Sequence, residues 1–307
     1  MMMTTTIMGV VPPVATPLDE NGALDVGSLG RLIEHLISGG VHGLFLLGST
    51  SEVAFMGEDQ RARLLDASMR MIGGRRPVLV GAIDPATERV IGHARVAKAA
   101  GVDALVVTAP FYTRTNAAET RAHFRAVRQA VDLPIFAYDI PVAVHSKLDL
   151  DTLVELASEG TIVGLKDSSG DEGGFRDVIL ATRDIPGFVV MTGSERTADA
   201  AMLMGAHGIV PGLGNVDPEG YVRLYDAAVR GDWAACVAEQ DRLCRLFTMV
   251  KAAAPRASLG SAGVGAFKAA LQAQGVFATR GMPMPLVALT DAEAAAVAGL
   301  VREAGLI

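Results

Sequence analysis

Lysine is scarce in this chain: Lys98, Lys147, Lys166, Lys251 and Lys268 are the whole set. Four of them fall in helical or loop patterns. Lys166 alone closes an apolar β-branched run, Thr161-Ile162-Val163-Gly164-Leu165-Lys166. An amine among apolar walls is disfavoured in its charged form, and a neutral amine is what addition to a carbonyl carbon requires. The competing reading is a strand-end lysine paired with its neighbour Asp167, and position alone leaves both open.

The tyrosines divide in the same way. Tyr221 and Tyr225 belong to a helical apolar stripe and read as packing. Tyr138 ends the run before the lysine run, and Tyr112 follows the run before that. One phenol oxygen can both give and take a proton, so such groups can serve imine formation and changes at carbon–carbon bonds. Taken singly, either could be structural. Gly48-Ser49-Thr50-Ser51-Glu52 offers hydroxyls and backbone N–H groups suited to a carboxylate. It is equally readable as a polar turn in which Thr50 or Ser51 serves as a local cap.

The elements that must position these groups repeat one theme: a short β-branched run, a loop, an amphipathic helix, then glycine. Strands are expected at 10–15, 42–47, 78–83, 103–108, 134–138, 161–166, 188–192 and 208–210. Between them lie stripes such as Leu29, Leu32, Ile33 and Leu36; Leu150, Leu153, Val154 and Ala157; and Tyr221, Leu224, Tyr225 and Ala228. Asp25 and Asp149 fit helix N-caps. Gly39-Gly40, Gly73-Gly74, Gly101, Gly160, Gly205 and Gly231 fit C-caps. Eight such units predict an α/β fold, a (β/α)8 TIM barrel, with catalytic groups at the C-terminal ends of its strands. A doubly wound open sheet is the rival, but residues 10–19 contain no glycine-rich phosphate loop. The barrel is expected to occupy 1–230 and a C-terminal helical extension 231–307. In the extension, helices are expected at 232–250, 266–273 and 291–304, the last opened by a capping box of Thr290 and Glu293. Residues 281–285 read as a turn or linker, and the tail is expected to pack on the barrel or on another subunit.

A chain of 307 residues, 50% hydrophobic, can bury a large core, and its formal charge of −7 gives no footprint for nucleic acid. No basic run suggests a membrane surface, and no segment approaches the roughly 20 apolar residues of a membrane span. The first eight residues show no basic region or sustained apolar stretch, so no signal peptide is expected. Cys236 and Cys244 lie eight residues apart on one expected helix, about 12 Å along its axis and too far to bridge. They read as packed thiols in a reducing cytoplasm. The six histidines show no metal-ligand spacing, and neither a metal nor a cofactor is expected. Of the six, His145 is the one that could face a pocket.

Together, Gly48-Ser49-Thr50-Ser51-Glu52, Pro110-Phe111-Tyr112, Tyr138-Asp139-Ile140-Pro141 and Gly164-Leu165-Lys166-Asp167-Ser168-Ser169-Gly170-Asp171 resemble the dihydrodipicolinate synthase and N-acetylneuraminate lyase family. The resemblance covers nearly the whole chain. It implies a class I lyase that handles pyruvate on a (β/α)8 barrel with a helical extension. By position, Lys166 is similar to the Schiff-base lysine and Tyr138 to the phenol that shuttles protons. Ser49 and Thr50 are similar to the carboxylate-binding and relay hydroxyls. Tyr112 is similar to a relay tyrosine that often completes a neighbouring subunit's site, which implies a homotetramer or a dimer.

Departures from the family pattern bear on substrate. Where lysine-pathway synthases usually carry an arginine that clamps aspartate semialdehyde, this chain has Ala143, between Val142 and Val144. Glu195 keeps one acid of the pair with which neuraminate lyases hold a sugar tail, and Arg196 reverses the other. Ser51 replaces a glycine common in the first loop. The expectation is an aldolase or dehydratase acting on a 2-keto-3-deoxy sugar acid or related 2-keto acid, with pyruvate as product or donor. Ser168, Glu195, Arg196 and Gly212 would meet the distal part of that substrate. Condensation of pyruvate with aspartate semialdehyde is the alternative, followed by a barrel that binds a keto acid without turnover.

Overall fold

Short runs of valine, leucine, isoleucine and alanine build eight strands, nearly every residue of which is buried. Strands flanked by helices on one side and packed side chains on the other have no wet face. A computed structural model of the chain describes residues 7–307. Residues 1–6, and with them most of the stretch read above as lacking a signal peptide, lie outside the described residues. The strands are β1 (Gly9–Val10), β2 (Leu44–Leu46), β3 (Val78–Gly81), β4 (Ala104–Thr108), β5 (Ile135–Asp139), β6 (Gly164–Asp167), β7 (Val189–Thr192) and β8 (Gly208–Ile209). Around them run α1 (Val26–Ser38), α2 (Glu58–Ile72), α3 (Thr87–Ala99), α4 (Ala117–Ala130), the single turn α5 (Pro141–Val144), α6 (Leu150–Ser158), α7 (Glu172–Thr182), α8 (Ala198–Met204) and α9 (Pro218–Val229). The extension follows as α10 (Trp233–Phe247), α11 (Leu259–Ala273) and α12 (Asp291–Glu303).

All neighbouring strands are parallel, in the order β1-β8-β7-β6-β5-β4-β3-β2. The two ends of that order meet. Pro13 bridges Phe45 in parallel, the Val14 N–H donates to the Phe45 carbonyl at 2.8 Å, and the Phe45 N–H donates to the Pro12 carbonyl at 3.0 Å. The sheet is therefore a closed barrel with no open edge.

Each expected strand overlaps an observed one, and the differences have local causes. β1 stops at Val10 because Pro12 and Pro13 lack the N–H a ladder needs. β2 stops one residue early because Leu47 takes a left-handed backbone, φ 55°. In α6 the buried stripe is Leu153, Leu156 and Ala157, while Leu150 in the first turn is exposed. Asp25 and Asp149 cap their helices by accepting the N–H groups of Ser28 and Thr152. The glycine stops adopt positive φ except Gly39, which leaves that role to Gly40. α11 begins seven residues before its expected start at 266. Gly260, Gly263 and Gly265 lower the helical signal there, but the Ser258 hydroxyl caps the helix and Gly265 lets Leu289 approach. The extension packs on the barrel through α10 against α8 and α9, and through α11 against the loop after β8.

Close packing leaves Gly164 no room for a side chain. A Cβ there would stand 2.5 Å from Phe136 Cε1 and 2.6 Å from the Val189 carbonyl oxygen, and the latter cannot rotate away. Gly164→Ala is expected to lower the denaturant midpoint by the equivalent of about 1–3 kcal/mol through overpacking. An unchanged midpoint would show that β6 and β7 can separate freely at this level.

Candidate active site

Successive residues of a strand face opposite sides, and this alternation sorts the end of β6. Lys166 turns into the mouth of the barrel, and Asp167 turns outward. Lys166 is 5% exposed and pairs in register with Tyr138 on β5 and Met191 on β7. Its Nζ lies 3.8 Å from the centre of the Tyr138 ring and 5.1 Å from that of Phe45. The two rings meet edge to face at 6.4 Å. Among the described residues no carboxylate lies within ion-pair distance of this amine, so pairing with Asp167 is not what holds it. Asp167 Oδ1 accepts instead from the Ser169 N–H and hydroxyl, both at 2.8 Å. Burial pushes the Asp167 carboxyl above its ordinary range, and neighbouring Asp139 adds to the effect.

The loop after β5 is fastened by that same Asp139. Fully buried, it receives Lys147 Nζ at 2.7 Å and the Leu148 N–H at 3.1 Å. Its carbonyl accepts the Ser168 N–H at 2.8 Å, which joins β5 and β6 at the level of Tyr138 and Lys166. The fastened loop carries α5, and Ala143 lies within it with no cation in the turn.

The turn after β2 is fixed from below. The Ser51 hydroxyl donates to the Val14 carbonyl at 2.6 Å and accepts the Gly48 N–H at 3.2 Å. The Thr16 hydroxyl donates to the Ser51 carbonyl at 2.9 Å. Ser51 thus spends its side chain on the scaffold, whereas Ser49 is exposed and Thr50 half-buried. The hydroxyls and N–H groups of Ser49 and Thr50 find no partner among the described residues. Two adjacent free N–H groups with two free hydroxyls are suited to an anion.

On the far side, Glu195 follows β7. Its Oε1 accepts the Gly212 N–H at 2.8 Å. Burial raises its carboxyl, opposed by that N–H and by the charge of Lys166. Tyr221 and Gln240 donate to the Glu195 carbonyl at 3.4 and 2.9 Å, so α9 and α10 brace this loop from behind. A cleft of about 260 Å³ opens between the β6 and β7 loops. Its walls include Ser168, Thr192, Ser194 and four acids, Asp167, Asp171, Glu172 and Glu195, with no basic residue.

The expected site residues therefore separate. Lys166 and Tyr138 are in contact, Glu195 is close enough to feel the amine's charge, and Ser168 borders the cleft with it. Gly212 is buried, its N–H given to Glu195 and its carbonyl to the Asn215 amide at 2.8 Å. That makes it a support for Glu195 rather than a surface for substrate. Arg196 is exposed on the rim. Tyr112 is 95% exposed with a left-handed backbone, φ 77°, and packs against none of these groups within its own chain. Leu47, Glu52, Tyr112 and His145 are the non-glycine residues with positive φ among those described, and all four stand in loops at the C-terminal rim. Strain of this kind collects at functional sites. Sequence reasoning missed Phe45, whose only signal was being the one aromatic residue in its strand. It also missed the Asp139–Lys147 pair.

A parallel barrel whose mouth holds a buried amine against a phenol defines the class I lyases, which work through a Schiff base on lysine. The chain belongs to the dihydrodipicolinate synthetase family, whose model matches residues 6–304. It is 33% identical over 301 residues to the 4-hydroxy-tetrahydrodipicolinate synthase of Phenylobacterium zucineum, covering 97% of this chain and 98% of that one. The dihydrodipicolinate synthase structure from Bacteroides thetaiotaomicron superposes with a TM-score of 0.91 at 31% identity, covering 97% and 98% of the two chains. YagE, a prophage protein of Escherichia coli K12 from the same family, solved in complex with pyruvate, gives a TM-score of 0.91 at 27% identity, covering 98% and 99%.

Two outcomes follow from this geometry. Borohydride added with pyruvate is expected to leave one covalent adduct per chain, on Lys166, and Lys166→Ala or Lys166→Arg to leave none, because guanidinium stays charged. Peptide mapping by mass spectrometry reads the position, and an adduct on any other lysine refutes the assignment. Tyr138→Phe is expected to slow turnover by about 10²-fold or more with a much smaller change in KM. A near-normal kcat with an earlier melting transition would make Tyr138 a packing residue.

Proposed function

We propose that this lyase cleaves or dehydrates a polyhydroxylated 2-keto-3-deoxy acid, with pyruvate as product or donor. The observation that carries the reading is the cleft between the β6 and β7 loops, lined by hydroxyls and four acids, one of which, Glu195, feels the charge of Lys166, while Lys147 reaches Asp171 from outside the lining at 4.0 Å. Such a wall repels a second carboxylate and accepts hydroxyl groups, which can donate to the acids. In this scheme Ser49 and Thr50 hold the substrate's C1 carboxylate. The Lys166 amine adds to C2, and Tyr138 gives its proton to the departing hydroxyl, so that loss of water leaves the protonated imine and a phenolate. The protonated imine draws the electrons of the C3–C4 bond as Tyr138 takes the proton of the C4 hydroxyl. An aldehyde leaves, the enamine is protonated at C3, and hydrolysis frees pyruvate and the amine. Residues 1–230 act as the catalytic barrel and 231–307 as its helical support. The exposure of Tyr112 supports assembly with further copies that would cover it, and two free thiols support a cytoplasmic setting.

A second reading is condensation of pyruvate with aspartate semialdehyde. What favours it is the name carried by the Phenylobacterium relative, at 33% identity across nearly the whole chain. Against it stands Ala143, which offers no charge to a second carboxylate.

A panel of 2-keto-3-deoxy acids assayed for pyruvate release, beside semialdehyde condensation, separates the two. Sugar-acid turnover is expected to exceed condensation at equal concentrations. Ala143→Arg is expected to shift the ratio towards the semialdehyde by about ten- to a hundredfold, the worth of one charge-assisted contact. Strong condensation by the wild type with no sugar-acid activity would reverse the ranking.

A further inference from the structure

Lys268 has no exposed surface, and it lies in α11, outside the barrel. Its Nζ stands 2.6 Å from Glu52 Oε2 and donates to the Gly281 carbonyl at 2.9 Å. Glu52 is buried as well, and its other oxygen has no partner among the described residues. Burial pushes the Glu52 carboxyl up and the Lys268 ammonium down, while each favours the charged form of the other. A buried ion pair is poorly explained by stability, since apolar residues of similar volume often serve as well. Its position is more telling. Glu52 closes the turn that carries Ser49 and Thr50, donating its N–H to the Ser49 carbonyl at 2.9 Å, and it does so with a left-handed backbone, φ 62°. That conformation is disfavoured for a residue with a long side chain and persists only where the surroundings hold it. Without Lys268 the carboxylate would be buried alone. It would have to take a proton or leave for water, and either change removes the ion pair that ties the turn to α11.

We propose that Lys268 is a positioning residue for substrate: through Glu52 it sets the turn that presents Ser49 and Thr50 to the substrate carboxylate. The C-terminal helices thus act on binding from behind the site. This rests on the Schiff-base reading given above, and the test keeps the two apart. Wild-type protein with pyruvate and borohydride sets the baseline, and absence of any adduct there overturns the Schiff-base reading itself. Given an adduct, Lys268→Met is expected to raise the pyruvate concentration for half-maximal trapping about tenfold or more, with Lys166 still modified at saturation. Glu52→Gln combined with Lys268→Met leaves no lone buried charge and carries the test if the single variant does not fold. It is expected to melt near the wild-type temperature and yet keep the raised half-saturation. A pair that served stability alone would recover trapping together with melting. That recovery, or half-saturation within about twofold of wild type in either folded variant, overturns the proposal.

Discussion

The two-residue repeat of a β-strand, applied at the end of β6, is the constraint on which the site depends. It sends Lys166 inward against the rings of Tyr138 and Phe45 and sends Asp167 outward. A slip of one residue would exchange them, placing a carboxylate in the barrel mouth and the amine among the helices. The register is secured on both sides. β5 and β7 pair with β6 over its whole length, and Gly164 admits the Phe136 ring and the Val189 carbonyl so closely that no other residue fits. Without an acid at hydrogen-bonding distance, the amine's neighbours are aromatic faces, which attract a cation weakly and leave the nitrogen open to a carbonyl carbon.

Charges at the rim are handled differently from that amine. Asp139 is bound by Lys147 and a backbone N–H, Glu52 by Lys268, and Glu195 by the N–H of Gly212. Each fastens a loop that follows a strand, and the Glu52–Lys268 pair does so across 216 residues. Two of the fastened loops contain Leu47, Glu52 and His145, three of the four non-glycine residues of positive φ among those described, so local backbone strain there is offset by specific polar contacts. The extension supplies several of them: Lys268 from α11, and Gln240 from α10 to the carbonyl of Glu195. Residues 231–307 thus reach the rim on two sides.

The barrel was readable in the sequence because its signals are local: β-branched runs, 3.6-residue stripes, aspartate caps and terminal glycines. Lys166 and Tyr138 were readable because scarce residue types fell at strand ends. What could not be read depends on distant contacts. Lys268 looked like one more helical lysine, since its partner lies 216 residues away. α11 was cut short because glycines that weaken an isolated helix are, in place, what lets Leu289 pack. For Gly212 the sequence leaves a substrate contact and a tight turn both open, and the hydrogen bonds that occupy its N–H and carbonyl favour the turn.

The polarity of the site runs across the barrel mouth, and that direction bears on substrate. At the β2 side, the N–H groups and hydroxyls of Ser49 and Thr50 have no partner among the described residues. At the β6–β7 side, four acids line the cleft. A ligand with charge at one end and hydroxyls at the other fits this field in one orientation, whereas a ligand charged at both ends sets one carboxylate against acids. Electrostatics of this kind discriminates chiefly by penalising the wrong partner, and this is the physical basis of the substrate class proposed above.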